Sequence, residues 1–112
     1  MFKKEIRNWI EYRDLPGVLE VDFHFEDPEF LSLPFHEKLE IFHEIALKGL
    51  KRGFDDSSIN YVLFTHGSST SGRGRSSARS VVRKLMRSPE ATPYIIRRES
   101  VQNTSCFLAV LK

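Results

Sequence analysis

At 112 residues, with a formal charge of +2, the chain is sized for one domain with one core, burying roughly two-thirds of the surface its unfolded form exposes. Its single cysteine, Cys106, excludes an internal disulfide framework and fits a reducing compartment, and no apolar run approaches the ~20 residues a membrane span needs. Met1 to Asp14 is charged throughout, unlike a secretory leader, so a cytoplasmic location is expected.

Phe2, Ile6, Trp9 and Ile10 fall at helical spacing and predict an amphipathic helix over Phe2–Arg13, with Trp9 packed rather than acting as a base-stacking platform. Leu15-Pro16-Gly17 is a turn signal that ends it. Residues 1–14 are therefore expected as a helical extension, and residues 15–112 as the domain proper. Val18–Phe25 alternates as a strand does: Val21, Phe23 and Phe25 share one side, and Glu20, Asp22 and His24 the other. Glu26–Leu33, with Pro28 inside it and Pro34 next, is expected as a loop whose Phe30 and Leu31 cover part of the core.

Phe35, Leu39, Phe42, Ala46 and Leu50 form a helical stripe ended by Gly53, with Ser32 as the expected N-cap and Pro34 in the first turn. His36, Glu40 and His43 on its outer face have a spacing that could clamp a divalent cation. They do not form the HExxH pattern, and Glu37 and Lys38 beside them favour an ordinary solvated face. Phe54–Ser58 is an acidic turn. Ile59–Phe64, apolar and rich in β-formers, predicts a buried strand ending at Thr65 and His66.

The segment Thr65–Arg87, THGSSTSGRGRSSARSVVRKLMR, joins that strand to a basic helix through a polar glycine-and-serine loop. Ala78, Val81, Val82, Leu85 and Met86 give Ser77–Arg87 a packing face, leaving Arg79, Arg83, Lys84 and Arg87 in water. Ser88–Pro93 is expected as a turn. Pro93–Glu99 and Ser105–Leu111 are expected as two strands, with Asn103 the turn residue between them and Cys106 as small apolar filling. The order predicts an α/β fold: a two-layer β-α-β-α-β-β sandwich with helices packed on a mixed four-stranded sheet, plus the N-terminal helix.

Charge is divided along the chain. Residues 1–60 carry 8 Lys and Arg against 13 Asp and Glu, whereas residues 61–112 carry 9 against 2. Arg73 to Arg87 holds six basic residues and no acid, the footprint of a polyanion partner. The loop feeds a helix N-terminus, where free N–H groups and the helix dipole favour phosphate. Gly67 allows close backbone approach, Ser68 and Ser69 add hydroxyl donors, and Arg73, Arg75, Arg79 and Arg83 add charge. Parallel strands in a β-α-β unit end at one edge of the sheet, so Asp22, His24 and His66 are expected at one rim beside this loop. A carboxylate and two imidazoles can exchange protons or hold a metal, and phosphodiester cleavage needs such groups together with cations on the non-bridging oxygens.

Asp22-Phe23-His24, then a long helix, then His66-Gly67 with a loop and a basic helix, resembles the Smr (small MutS-related) domain, whose pattern is D-L-H-G and later H-G-x-G. The resemblance spans Val18 to Lys112. It implies a β-α-β-α-β-β fold, nucleic-acid binding and, for several members, endonuclease activity, with Asp22 and His24 as the first functional pair and His66 with Gly67 as the second. Phe25 stands where the first pattern has glycine and Ser69 where the second has its later one. Those losses bear on loop geometry, hence on cleavage more than on binding. His66-Gly67 with Arg73-Gly74-Arg75 is also similar to the H-C-x5-R loop of cysteine phosphatases, but Gly67 occupies the thiolate position and that chemistry is excluded.

The sequence thus leads to a nucleic-acid-binding domain, acting on DNA or RNA, with endonuclease activity at Asp22, His24 and His66. Phosphate would be gripped by Gly67, Ser68, Ser69, Arg73, Arg75, Arg79 and Arg83, and a divalent cation is the one cofactor such a site could take. The alternative is a non-catalytic module that docks RNA or an acidic protein through the same basic face.

Overall fold

The computed structural model describes residues 2–3, 9–23, 28–66, 77–103 and 105–112. In chain order these form α1 (Trp9–Arg13), β1 (Val18–Asp22), α2 (Pro28–Leu31), α3 (Phe35–Asp55), β2 (Tyr61–Thr65), α4 (Ser77–Arg87), β3 (Val101–Gln102) and β4 (Phe107–Val110). The strands make one mixed sheet in the order β1-β2-β4-β3, with β1 parallel to β2 and the other two pairs antiparallel. The expected α/β architecture is what forms.

Strand alternation divides the core between the two faces of the sheet. Val62 and Phe64 of β2 and Phe107 and Ala109 of β4 pack with Phe42, Ala46 and Leu50 of α3 and Ala78, Val82, Leu85 and Met86 of α4. On the other face Leu63, Val101, Cys106 and Leu108 pack with Tyr12 of α1, itself only 1% exposed. The helical stripes read from the sequence are therefore the faces that α3 and α4 bury, except that Phe35 at the start of α3 is 54% exposed.

Gly17 fixes where β1 begins. It sits at φ +74°, a left-handed conformation that side chains oppose, and its carbonyl accepts from the backbone N–H groups of both Asn60 (2.7 Å) and Tyr61 (3.1 Å). This clamp sets the parallel register from Val18↔Tyr61 to Asp22↔Thr65.

Four local expectations are corrected. The first helix does not run from Phe2: Lys3 bridges Val101, donating to the Ser100 carbonyl and accepting from Gln102 N–H, each at 2.8 Å, while Phe2 stacks edge-on against Phe107 at 4.9 Å. Pairing with the sheet edge outweighs helical periodicity there. The expected loop at 26–33 contains α2, which seats Phe30 5.4 Å from Phe42 and leaves Leu31 exposed. Pro34, not Ser32, is the residue that caps α3; the Ser32 hydroxyl donates instead to the Glu29 carbonyl at 2.9 Å.

The fourth correction concerns Pro93–Glu99, which is a series of turns with one bridge, Ile95↔Leu111, and not a strand. The Arg97 guanidinium explains it. It reaches back to the C-terminal end of α4, donating to the carbonyls of Met86 (2.8 Å) and of Ser88 just beyond the helix (2.6 Å), and to Thr92 Oγ1 (2.9 Å). Buried Ser100 then supplies a side-chain hydroxyl, 3.0 Å from Val110 N–H, in place of a backbone acceptor, and donates to the Ile96 carbonyl at 2.9 Å. The expected turn at Asn103 does form, its Oδ1 accepting from Ser105 N–H at 3.2 Å.

Candidate nucleic-acid interface

The parallel pairing brings the C-terminal ends of β1 and β2 together. Asp22 stands opposite Thr65, the N–H of Phe23 donates to the Thr65 carbonyl at 3.2 Å, and the Thr65 hydroxyl donates to the Val21 carbonyl at 3.4 Å. The expected rim between the two strands exists as backbone.

Asp22, in β1, is exposed. Arg13 makes a bidentate contact with Glu20, at 2.7 and 2.9 Å, which raises its pKa above the ordinary arginine value, and the charge of Asp22 adds to that rise. His66 follows β2 directly and is 6% exposed, with Nε2 sealed from solvent. His24, Gly67, Ser68, Ser69, Arg73 and Arg75, also expected in the site, lie outside the described residues.

Arg79 and Arg83 lie on α4, both half-buried, and they belong to a longer array. Arg79, Arg83 and Arg87 are spaced by four, and so are Ser80, Lys84 and Ser88, so two polar ridges run side by side along the helix. Arg83 Nη2 donates to the Asn103 carbonyl at 3.1 Å and Arg87 Nη2 to Gln102 Oε1 at 3.2 Å, which leans the arginine ridge on the β3–β4 turn. Burial, together with the charges of Arg79 and Arg87, pushes the Arg83 pKa down. Among the described residues no carboxylate pairs with Arg83, Lys84 or Arg87.

These side chains line an open groove of about 620 Å³ formed by Ser80, Arg83, Lys84, Arg87 and Ser88. Its wall offers three cations and two hydroxyls with no acid, so it can accept phosphate oxygens at several points. The expected site residues omitted Ser80, Lys84, Arg87 and Ser88, although their fourfold spacing was present in the sequence.

No family model, curated protein or solved structure matches the chain. The functional reading therefore rests on geometry and charge.

On the outer face of α3, the sequence favours a solvated reading of His36, Glu40 and His43 over a metal clamp. His43 Nε2 lies 3.2 Å from Glu90 Oε1, and among the described residues no three His, Cys, Asp or Glu side chains gather to hold a metal ion. No helix among them is long and apolar enough to cross a membrane.

Proposed function

We propose that this chain is a nucleic-acid-binding domain whose contact surface is the outer face of α4. The observation that carries the reading is the Ser80–Arg83–Lys84–Arg87–Ser88 groove, cationic along its length and without a carboxylate. Cations held at four-residue spacing along a rigid helix match a phosphate backbone better than they match a compact acidic ligand. A nucleic-acid partner is also what the Smr resemblance of the sequence implies, and a single buried thiol fits a cytoplasmic setting.

Cleavage is the further step of this reading, assigned to Asp22, His24 and His66. The burial of His66 beside an exposed Asp22 strand end favours binding over cutting.

The test is fluorescence anisotropy with labelled DNA and RNA over a range of salt. Lys84→Gln and Arg87→Gln should each reduce the slope of log affinity against log salt by about one counterion's worth, without altering sequence preference. Unchanged slopes, or no binding at low salt, would overturn the assignment. A nicking assay on wild type and His66→Ala, with and without divalent cation, decides cleavage: cutting that persists in the variant removes His66 from it.

A further inference from the structure

A second groove runs along the opposite flank of the Ser80–Lys84–Ser88 ridge, between α3 and α4. It encloses about 400 Å³ and is lined by Leu39, Val81 and Leu85, with Glu40, His43 and Glu90 among its polar lining residues. Both grooves share Ser80, Lys84 and Ser88, so the ridge is one wall of each. What the shared ridge faces differs on the two sides: Arg83 and Arg87 on one, and on the other an apolar surface with two carboxylates and His43.

We infer that the α3–α4 groove receives an unpaired nucleobase while the adjoining backbone phosphate lies in the cationic groove, so that the domain selects single strands over duplex. This rests on the nucleic-acid reading above and adds the form of the ligand. Charge decides which part of the strand goes where. Glu40 and Glu90 repel phosphate from the α3–α4 side, whereas Arg83 and Arg87 attract it to the other, which leaves the apolar groove to the uncharged part of a nucleotide.

A volume of about 400 Å³ lies in the range of small-molecule sites, and Leu39, Val81 and Leu85 provide apolar contact for a base face. The Glu90 carboxylate, held by His43 at 3.2 Å, accepts hydrogen bonds only, so it suits a base edge bearing an amino group, such as cytosine. A duplex keeps its bases stacked, so it offers this groove no base face.

The experiment compares a cytosine-rich single strand, a thymine-rich single strand and a duplex of equal length, with the intact chain and with Val81→Gln, Leu39→Gln and Arg87→Gln. The expected result is tighter binding of the cytosine-rich strand than of duplex by roughly tenfold, reduced towards the duplex level by Val81→Gln or Leu39→Gln. Arg87→Gln should weaken all three ligands together. Methyl NMR on the wild-type chain gives a second readout independent of any variant's folding: the Val81 and Leu85 methyl signals should move with single strand and stay in place with duplex. Equal affinity for duplex, or unmoved methyl signals on saturation with single strand, would overturn the base groove and leave the phosphate groove standing. Absence of binding to every ligand would overturn both.

Discussion

Arg83 Nη2 donates to the Asn103 carbonyl oxygen at 3.1 Å, tying the middle of α4 to the turn between β3 and β4. The same guanidinium lies between Arg79 and Arg87, and its Nε, sealed from solvent, has no hydrogen-bond partner among the described residues. Burial and like charge both disfavour the cation, so its presence adds little to folding and much to the potential of the groove.

Arg83→Met should therefore keep the packing of the side-chain stem and stay within about 1 kcal/mol of wild-type stability, since a lost hydrogen bond is offset by relief of a crowded charge. Nucleic-acid affinity at low salt should fall in the same variant. Urea unfolding and anisotropy on one preparation measure both.

Arg97 has the opposite role. Its bonds to the Met86 and Ser88 carbonyls place a cation at the C-terminal end of α4, where the helix dipole is negative. Arg97→Ala should cost about 1–3 kcal/mol through those charge-assisted bonds while leaving the salt dependence of binding unchanged. Thermal unfolding and a salt titration distinguish the two contributions.

Two glycines of α3 report how closely that helix lies on the sheet. A Cβ at Gly53 would come 2.7 Å from Val62 Cγ2, in the fully buried middle of the core, whereas one at Gly49 would come 2.8 Å from Val21 Cγ2 on the partly exposed edge strand. Alanine improves helix propensity by about 1 kcal/mol, but overpacking costs about 1–3 kcal/mol. Gly53→Ala should be the more destabilising of the two because Val62 has nowhere to move. Val62→Ala combined with Gly53→Ala should recover part of the loss, as a double-mutant cycle would show.

Cys106 is fully buried, and burial pushes its thiol up to about 11 from an ordinary 9.0. The folded chain holds the proton more tightly than the unfolded one, so this contribution to stability is complete below pH 9 and is lost as pH rises from 9 to 11. The loss is on the order of 2 kcal/mol. Cys106→Ala should lack that decline when unfolding free energies of the two proteins are compared across the window. Thiol reagents at neutral pH should react with Cys106 only as fast as the chain opens.

Periodicity carried most of the fold. The stripe of Phe42, Ala46 and Leu50, and that of Ala78, Val82, Leu85 and Met86, give helical faces that the sheet then buries. Pro93–Glu99 was misread because its residues satisfy a strand pattern locally. What diverts the chain is Arg97 reaching the end of α4 at Met86, 11 residues earlier in the chain. In the candidate site, the convergence of the β1 and β2 ends followed from parallel topology, but the burial of His66 did not. Side-chain alternation depends on register, and the Gly17 clamp on Asn60 and Tyr61 sets that register across the chain.

Residue order alone determined an α/β chain with one helical face rich in arginine, because charge and apolar spacing are local properties. Tertiary structure decided that the cations of α4 share a groove with Ser80 and Ser88, that an apolar channel lies on the other side of the same ridge, and that His66 is buried. Each of these depends on which elements become neighbours. That choice is made by burial summed over the whole core, which no short stretch of sequence contains.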